Sequence, residues 1–154
     1  MAKMGIQAFW RIIKMFDWTC EGDDDGVLSP AIEHLSNLKD EDIFDFEDIL
    51  AKLLYDLDSR EIALEIYGSN KIISDDMFLY QRCVAVANGQ GYYSSIFYRG
   101  RKLDPNLEFE SLLYLPKLAW GKKHSTDIIE YPHIPNPSYE TGSNKALWRK
   151  SFPF

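Results

Sequence analysis

The stretch from Ser74 to Tyr93 reads S-D-D-M-F-L-Y-Q-R-C-V-A-V-A-N-G-Q-G-Y-Y. Ser74 is a helix N-cap residue, and Asp75 and Asp76 fall where carboxylates complement the positive end of a helix dipole. Phe78, Leu79, Cys83, Val84, Ala85, Val86 and Ala87 leave little polar surface. The stretch therefore predicts a central helix, buried on most sides and stopped at Asn88-Gly89. Arg82 lies within that body. A buried guanidinium must find a carboxylate or carbonyls, and an acidic partner from the N-terminal half is expected. Asp76 and Arg82 are six residues apart, whereas helix neighbours are three or four apart, so the two do not meet along the helix.

Upstream, Ile6, Phe9, Trp10, Ile13 and Phe16 recur at helical spacing with Lys3, Gln7, Arg11 and Lys14 between them, an amphipathic helix with an aromatic face. Cys20 to Gly26, C-E-G-D-D-D-G, reads as an acidic loop, and Ser29-Pro30 as the next helix start. A further helix begins near Asp40. Ile43, Phe46, Leu50, Leu53, Leu54 and Leu57 line its inner side, leaving Asp45, Glu47 and Asp48 on an acidic outer face. Asp58-Ser59 caps E-I-A-L-E-I-Y, which ends at Gly68, and Ser69 to Ile73 connects to Ser74.

Downstream, Tyr92 to Arg99 makes another helix, and Asp104-Pro105 starts one that carries Leu107, Leu112 and Leu113 and is ended or kinked at Pro116. From Gly121 the helical period disappears into a Pro-rich run, with a short extended piece expected at Asp127 to Tyr131. The terminal aromatics of K-A-L-W-R-K-S-F-P-F are expected to pack back or to meet a partner. The expected fold is mainly α: a single-domain multi-helix bundle over residues 1–120, with an irregular Pro-rich C-terminal arm, 121–154, packed on it.

The 154 residues, 45% of them hydrophobic, are enough for a real core. The net charge of -7 argues against nucleic acid or an anionic membrane as partner and favours a basic protein. That charge is uneven: through Asp76 there are 18 acidic residues against 7 basic, and beyond it 6 against 10. Cys20 and Cys83 read as two free thiols in a reducing compartment. The N-terminus lacks the apolar region of a signal peptide, and no window approaches the roughly 20 apolar residues of a membrane span. A cytoplasmic location is the expectation.

Chemistry is sparse. Asp23, Asp24 and Asp25 lack the alternating spacing and closing glutamate of a calcium loop. His34, His124 and His133 are scattered, with no zinc spacing. Cys83 has apolar flanks that raise a thiol pKa and work against a nucleophile. Asn88 to Gly91, N-G-Q-G, follows a helix and is a stop signal, not a phosphate cradle. No cofactor and no metal are expected.

Phe9-Trp10-x-Ile12-Ile13, then L-K-D-E-D-I-F-D-F from Leu38 to Phe46, then Ser74-Asp75-Asp76-x-Phe78 follow one another in an order that resembles a bacterial family of uncharacterised helical domains. Its patterns are F-W-x-[LI]-I, L-S-x-E-E-I-x-x-F and S-D-D-x-F-x-x-F-R-x-W-L-I-x-x-G-x-x-x-Y. The last aligns without gaps on Asp75, Asp76, Phe78, Arg82, Gly89 and Tyr93, and a later D-P-x-x-L falls on Asp104, Pro105 and Leu107. Gln81 stands where the family has Phe, and Val84 where it has Trp. The resemblance covers roughly Ile6 to Leu107. It implies small cytoplasmic bacterial proteins, some fused to other modules and some in toxin–immunity gene neighbourhoods, and transfers no catalytic activity.

The resulting expectation is a small acidic binding protein, an immunity protein that neutralises a bacterial toxin such as a nuclease. Asp23, Asp24, Asp25, Asp42, Asp45 and Asp48 are the candidate contact residues, and Asp75, Asp76 and Arg82 have structural roles. The alternative is an enzyme or small-ligand domain with its site near Asp76, Arg82 and Tyr93.

Overall fold

A computed structural model of the chain describes residues 3–68 and 72–149. The fold is all-α. The described residues form eight α-helices: α1 (Ile6–Ile13), α2 (Asp24–Ser36), α3 (Asp40–Asp56), α4 (Arg60–Tyr67), α5 (Asp75–Ala87), α6 (Gln90–Tyr98), α7 (Leu115–His124) and α8 (Lys145–Trp148). Short 3-10 turns at Trp18–Cys20, Glu110–Tyr114 and Ile128–Glu130 complete the list. Contacts divide the chain into two units, each made of two stretches: Met1–Leu50 with Ser111–Pro135, and Ala51–Glu110 with Asn136–Phe154. The segment after Gly121 thus contributes to both. The expected connection at 69–71 and the terminal Phe152 and Phe154 lie outside the described residues.

In the first unit, α1 buries Phe9, Trp10, Ile12 and Ile13, as its aromatic stripe predicts. Phe9 packs against Phe46 of α3 in a tilted ring pair with centroids 4.7 Å apart. The helix α2 differs from expectation: it starts at Asp24, inside the supposed loop, and carries Pro30 in its interior. Pro30 has no N–H for the Gly26 carbonyl one turn back, a local cost. Full burial of Val27, Leu28, Ala31 and Leu35 outweighs it. Likewise Pro116 opens a helix instead of ending one, as the second residue of α7, where a missing N–H costs nothing. No helix starts at Asp104. Its carboxylate accepts from the Asn106 N–H at 2.8 Å, a local turn, and Leu107 is 49% exposed. The helix α7 runs on past Gly121 to His124. Residues 128–130 make a 3-10 turn capped by Asp127, not an extended piece.

In the second unit, local signals act as read. Ser59 accepts from the Ile62 N–H at 3.3 Å, and Ser74 from the Met77 N–H at 3.3 Å. The body of α5 is buried from Phe78 onward. Gly89, at φ +97°, ends α5 and serves as N-cap of α6, a backbone shape that favours glycine. Gln81 is buried as a polar bridge. It accepts from the Tyr67 hydroxyl at 2.9 Å and donates to the Pro105 carbonyl at 3.2 Å. Val84 is also buried.

Candidate protein-binding surface

The acidic residues singled out in the sequence all lie in the first unit, but they are not equivalent. Asp23 is the N-cap residue of α2, and Asp24 and Asp25 occupy its first turn, where the helix dipole favours negative charge. Asp24 is half-buried and accepts from the Ser111 hydroxyl at 2.6 Å. Asp23 and Asp25 are exposed, as is Glu21 just before them. These three make an acidic patch at the start of α2.

The acidic side of α3 is more occupied than expected. Asp45 accepts from the Met4 N–H at 3.0 Å, and Asp42 from the Lys39 N–H at 3.4 Å. Asp48 lies 2.8 Å from His133 Nε2. Asp40 lies 2.9 and 3.0 Å from His124 Nε2 and pairs with Lys123 at 2.9 Å. Burial pushes the Asp40 carboxyl up, but the hydrogen bonds from Lys123 and His124 hold it below the usual carboxylate range. Glu47 is not on an outer face at all. It is 1% exposed, beneath Tyr131, whose hydroxyl donates to it at 3.0 Å. Burial raises the Glu47 carboxyl, and Oε2 has no hydrogen-bond partner. The period-3.6 pattern put Glu47 outside because it cannot register that Phe44, Tyr131 and His133, with Phe44 stacked on the imidazole at 4.8 Å, cover that side.

The polar residues of α5 belong to the second unit and do not converge. Asp75 and Asp76 are exposed in the first turn. Arg82 is fully buried, and its hydrogen bonds go to a carbonyl, one of the two kinds of partner expected, and to a hydroxyl. It donates to the Leu54 carbonyl at 2.8 Å and to the Thr141 hydroxyl at 2.9 Å, with Nε unpaired and the guanidinium 4.8 Å from the Phe78 ring centre. Burial lowers its pKa, opposed chiefly by the charge of Asp58. Tyr93 donates to the Leu53 carbonyl at 2.6 Å, and burial raises its hydroxyl pKa. Both side chains therefore direct their hydrogen bonds to backbone carbonyls or to Thr141. Cys83 is a buried free thiol pushed up by burial, and Cys20 is free as well.

The residue that sequence reasoning missed is Asp58. It is fully buried and accepts from the Gly142 N–H at 3.0 Å, the Asn144 N–H at 2.9 Å and the Trp148 Nε1–H at 2.7 Å. Asp-Ser before a helix signals a cap, and here Ser59 does the capping. Nothing local marks the aspartate as an anchor for residues some 85 positions away.

A family model matches residues 4–122, more than three-quarters of the chain. The chain belongs to the family described as "Protein of unknown function (DUF4240)". No curated protein and no solved structure matches it. The DUF4240 match takes in α1 through nearly all of α7.

The geometry thus separates residues that hold the fold (Asp58, Arg82, Tyr93, Glu47) from carboxylates that face solvent. Among the described residues, no three His, Cys, Asp or Glu side chains are grouped to hold a metal ion, and no helix is long and apolar enough to cross a membrane.

Proposed function

We propose that the protein binds a basic protein partner through the acidic surface of its first unit, as an immunity protein that neutralises a toxin such as a nuclease. One observation carries this reading. The first unit holds 14 acidic residues against 7 basic ones, and the second 10 against 10, so the whole net charge of -7 resides in one unit. The basic residues of the C-terminal half do little to offset it: of the three that fall in that unit, Lys122 and Lys123 are already paired with Glu33 and Asp40. Exposed Glu21, Asp23 and Asp25 remain available, with Asp42 on the same unit. A one-signed field of this kind accelerates encounter with a partner built to hold phosphates, and such a partner loses access to nucleic acid when covered.

The test is a search of the gene neighbourhood for a toxin domain and a pull-down with its product, followed by association kinetics at several salt concentrations. The triple variant Asp23→Lys/Asp25→Lys/Asp42→Lys should associate about tenfold more slowly at low salt, with a much flatter salt dependence. Unchanged rates and salt dependence would sink the proposed surface.

A further inference from the structure

The second unit is neutral overall, but its charges are not evenly spread. Beside α4, the end of α6 and α8 lies an open recess of about 350 Å³. Ile62, Ile96, Phe97 and Leu147 supply its apolar lining, and Phe97 and Leu147 remain 45% and 43% exposed. Glu61 and Glu65 border it from α4. They are four residues apart, hence on one face of the helix, and both are exposed. The other charges at the recess are engaged. Asp56 pairs with Lys52 at 2.6 Å, and Arg101 lies over the Tyr92 ring at 4.4 Å. What remains is an apolar floor beside two like charges that repel each other.

We infer that this recess docks a protein segment carrying an arginine or lysine next to an apolar side chain. The cation sits between Glu61 and Glu65, and the apolar group lies against Ile62, Ile96, Phe97 and Leu147. Three physical reasons fix that chemistry. Long cationic side chains lay an apolar stem along hydrophobic surface while the head stays at the polar rim, which matches a floor and rim of this kind. The volume is at the low end of ligand sites, which span about 300–1,000 Å³, and suits one or two side chains better than a cofactor. Finally, the glutamate pair repels an acidic segment, so the same residues that attract one partner exclude the other. An exposed ion pair alone adds little, so the apolar contact is needed for affinity. The inference does not depend on the acidic surface of the first unit.

The probe is the synthetic peptide Ac-LRLRLR-NH2, titrated into the full chain labelled with nitrogen-15. Ac-GRGRGR-NH2 and Ac-LELELE-NH2 serve as comparisons. The Leu/Arg peptide should shift amide signals of Ile62, Glu65 and Phe97. The Gly/Arg peptide should bind more weakly, and the Leu/Glu peptide should leave those signals in place. Affinity should fall about tenfold in Glu61→Lys/Glu65→Lys, and by a similar factor in Phe97→Ser. The five substituted carboxylates, Asp23, Asp25, Asp42, Glu61 and Glu65, lie outside the buried core, and unchanged circular dichroism checks folding. The Asp23→Lys/Asp25→Lys/Asp42→Lys variant should bind the peptide as before, which separates this site from the first-unit surface. Peptide binding that ignores both recess variants would overturn the inference. So would recess signals that move with protein concentration alone, which would assign the recess to a second copy, or with deletion of residues 150–154, which would assign it to the chain's own end.

Discussion

Glu47 and Asp58 are both buried carboxylates, and their surroundings give them opposite consequences. Glu47 has one hydrogen bond, from Tyr131, and an unpartnered Oε2, and burial raises its pKa. The folded chain therefore holds this proton more tightly than the unfolded chain. Stability contributed at Glu47 is full at low pH and falls as pH rises through the raised value. Glu47→Gln should accordingly be more stable than the parent at pH 8 in urea unfolding, with the gap closing near and below the ordinary Glu range of about 4.3. A variant less stable at every pH would show that the Tyr131 bond outweighs the buried charge. Asp40 has the reverse sign, since Lys123 and His124 hold its pKa down against burial. Its contribution is present above the ordinary Asp range and is lost as pH falls through the lowered value. Asp58 instead receives three donors. Asp58→Ala strands them and removes the main negative charge offsetting Arg82, so it should cost about 3 kcal/mol or more. Because the two groups share that electrostatic relation, Asp58→Ala/Arg82→Met should cost less than the single changes summed, which a double-mutant cycle reads directly.

The helix α2 shows what a linear reading misses at the scale of an element. Its two punctuating residues act against their usual sense. Pro30 lies in the interior, and exposed, so Pro30→Ala restores an N–H for the Gly26 carbonyl and should stabilise by about 1–3 kcal/mol. Gly26 is different. Alanine would gain about 1 kcal/mol in helix propensity. Its Cβ, however, would stand 2.8 Å from Asp23 Oδ2 and 2.9 Å from Cys20 Cβ, and the latter cannot swing away. Gly26→Ala should therefore destabilise by about 1–3 kcal/mol, and a raised melting temperature would refute the packing argument. These cases explain what was legible. Ser59 and Ser74 cap the helices they precede, and every apolar position picked along α3 is buried, because caps and period-3.6 burial are local properties. The start of α2 was not legible, since burial of Val27 and Leu28 decided it over proline and glycine. Nor was the occupation of Asp48 and Glu47, the acidic positions nominated for contact or solvent, because their partners His133 and Tyr131 lie about 85 residues downstream.

At the scale of the whole chain, the same long-range contacts decide how much sequence a stable protein needs. A boundary near residue 120 would look natural from composition, because helical periodicity fades there. The first unit nevertheless draws on residues up to 135: His124 and Lys123 meet Asp40, Tyr131 meets Glu47, and His133 meets Asp48. The second draws on residues beyond: the Thr141 hydroxyl accepts from Arg82 and donates to the Asp75 carbonyl, while Gly142, Asn144 and Trp148 satisfy Asp58. A chain ending at Trp120 would leave Asp58 and Arg82 buried without most of their partners and would bare Glu47. Each uncompensated buried charge costs about 3–5 kcal/mol, and total stabilities are only about 5–15 kcal/mol. Residues 1–120 alone should consequently show no cooperative unfolding transition and should be digested rapidly by protease. Residues 1–149, which keep every contact named here, should unfold cooperatively. A cooperative transition in the shorter chain would mean that the clasp at Asp58 and Arg82 is dispensable, and that the family-matched residues 4–122 contain a self-sufficient fold.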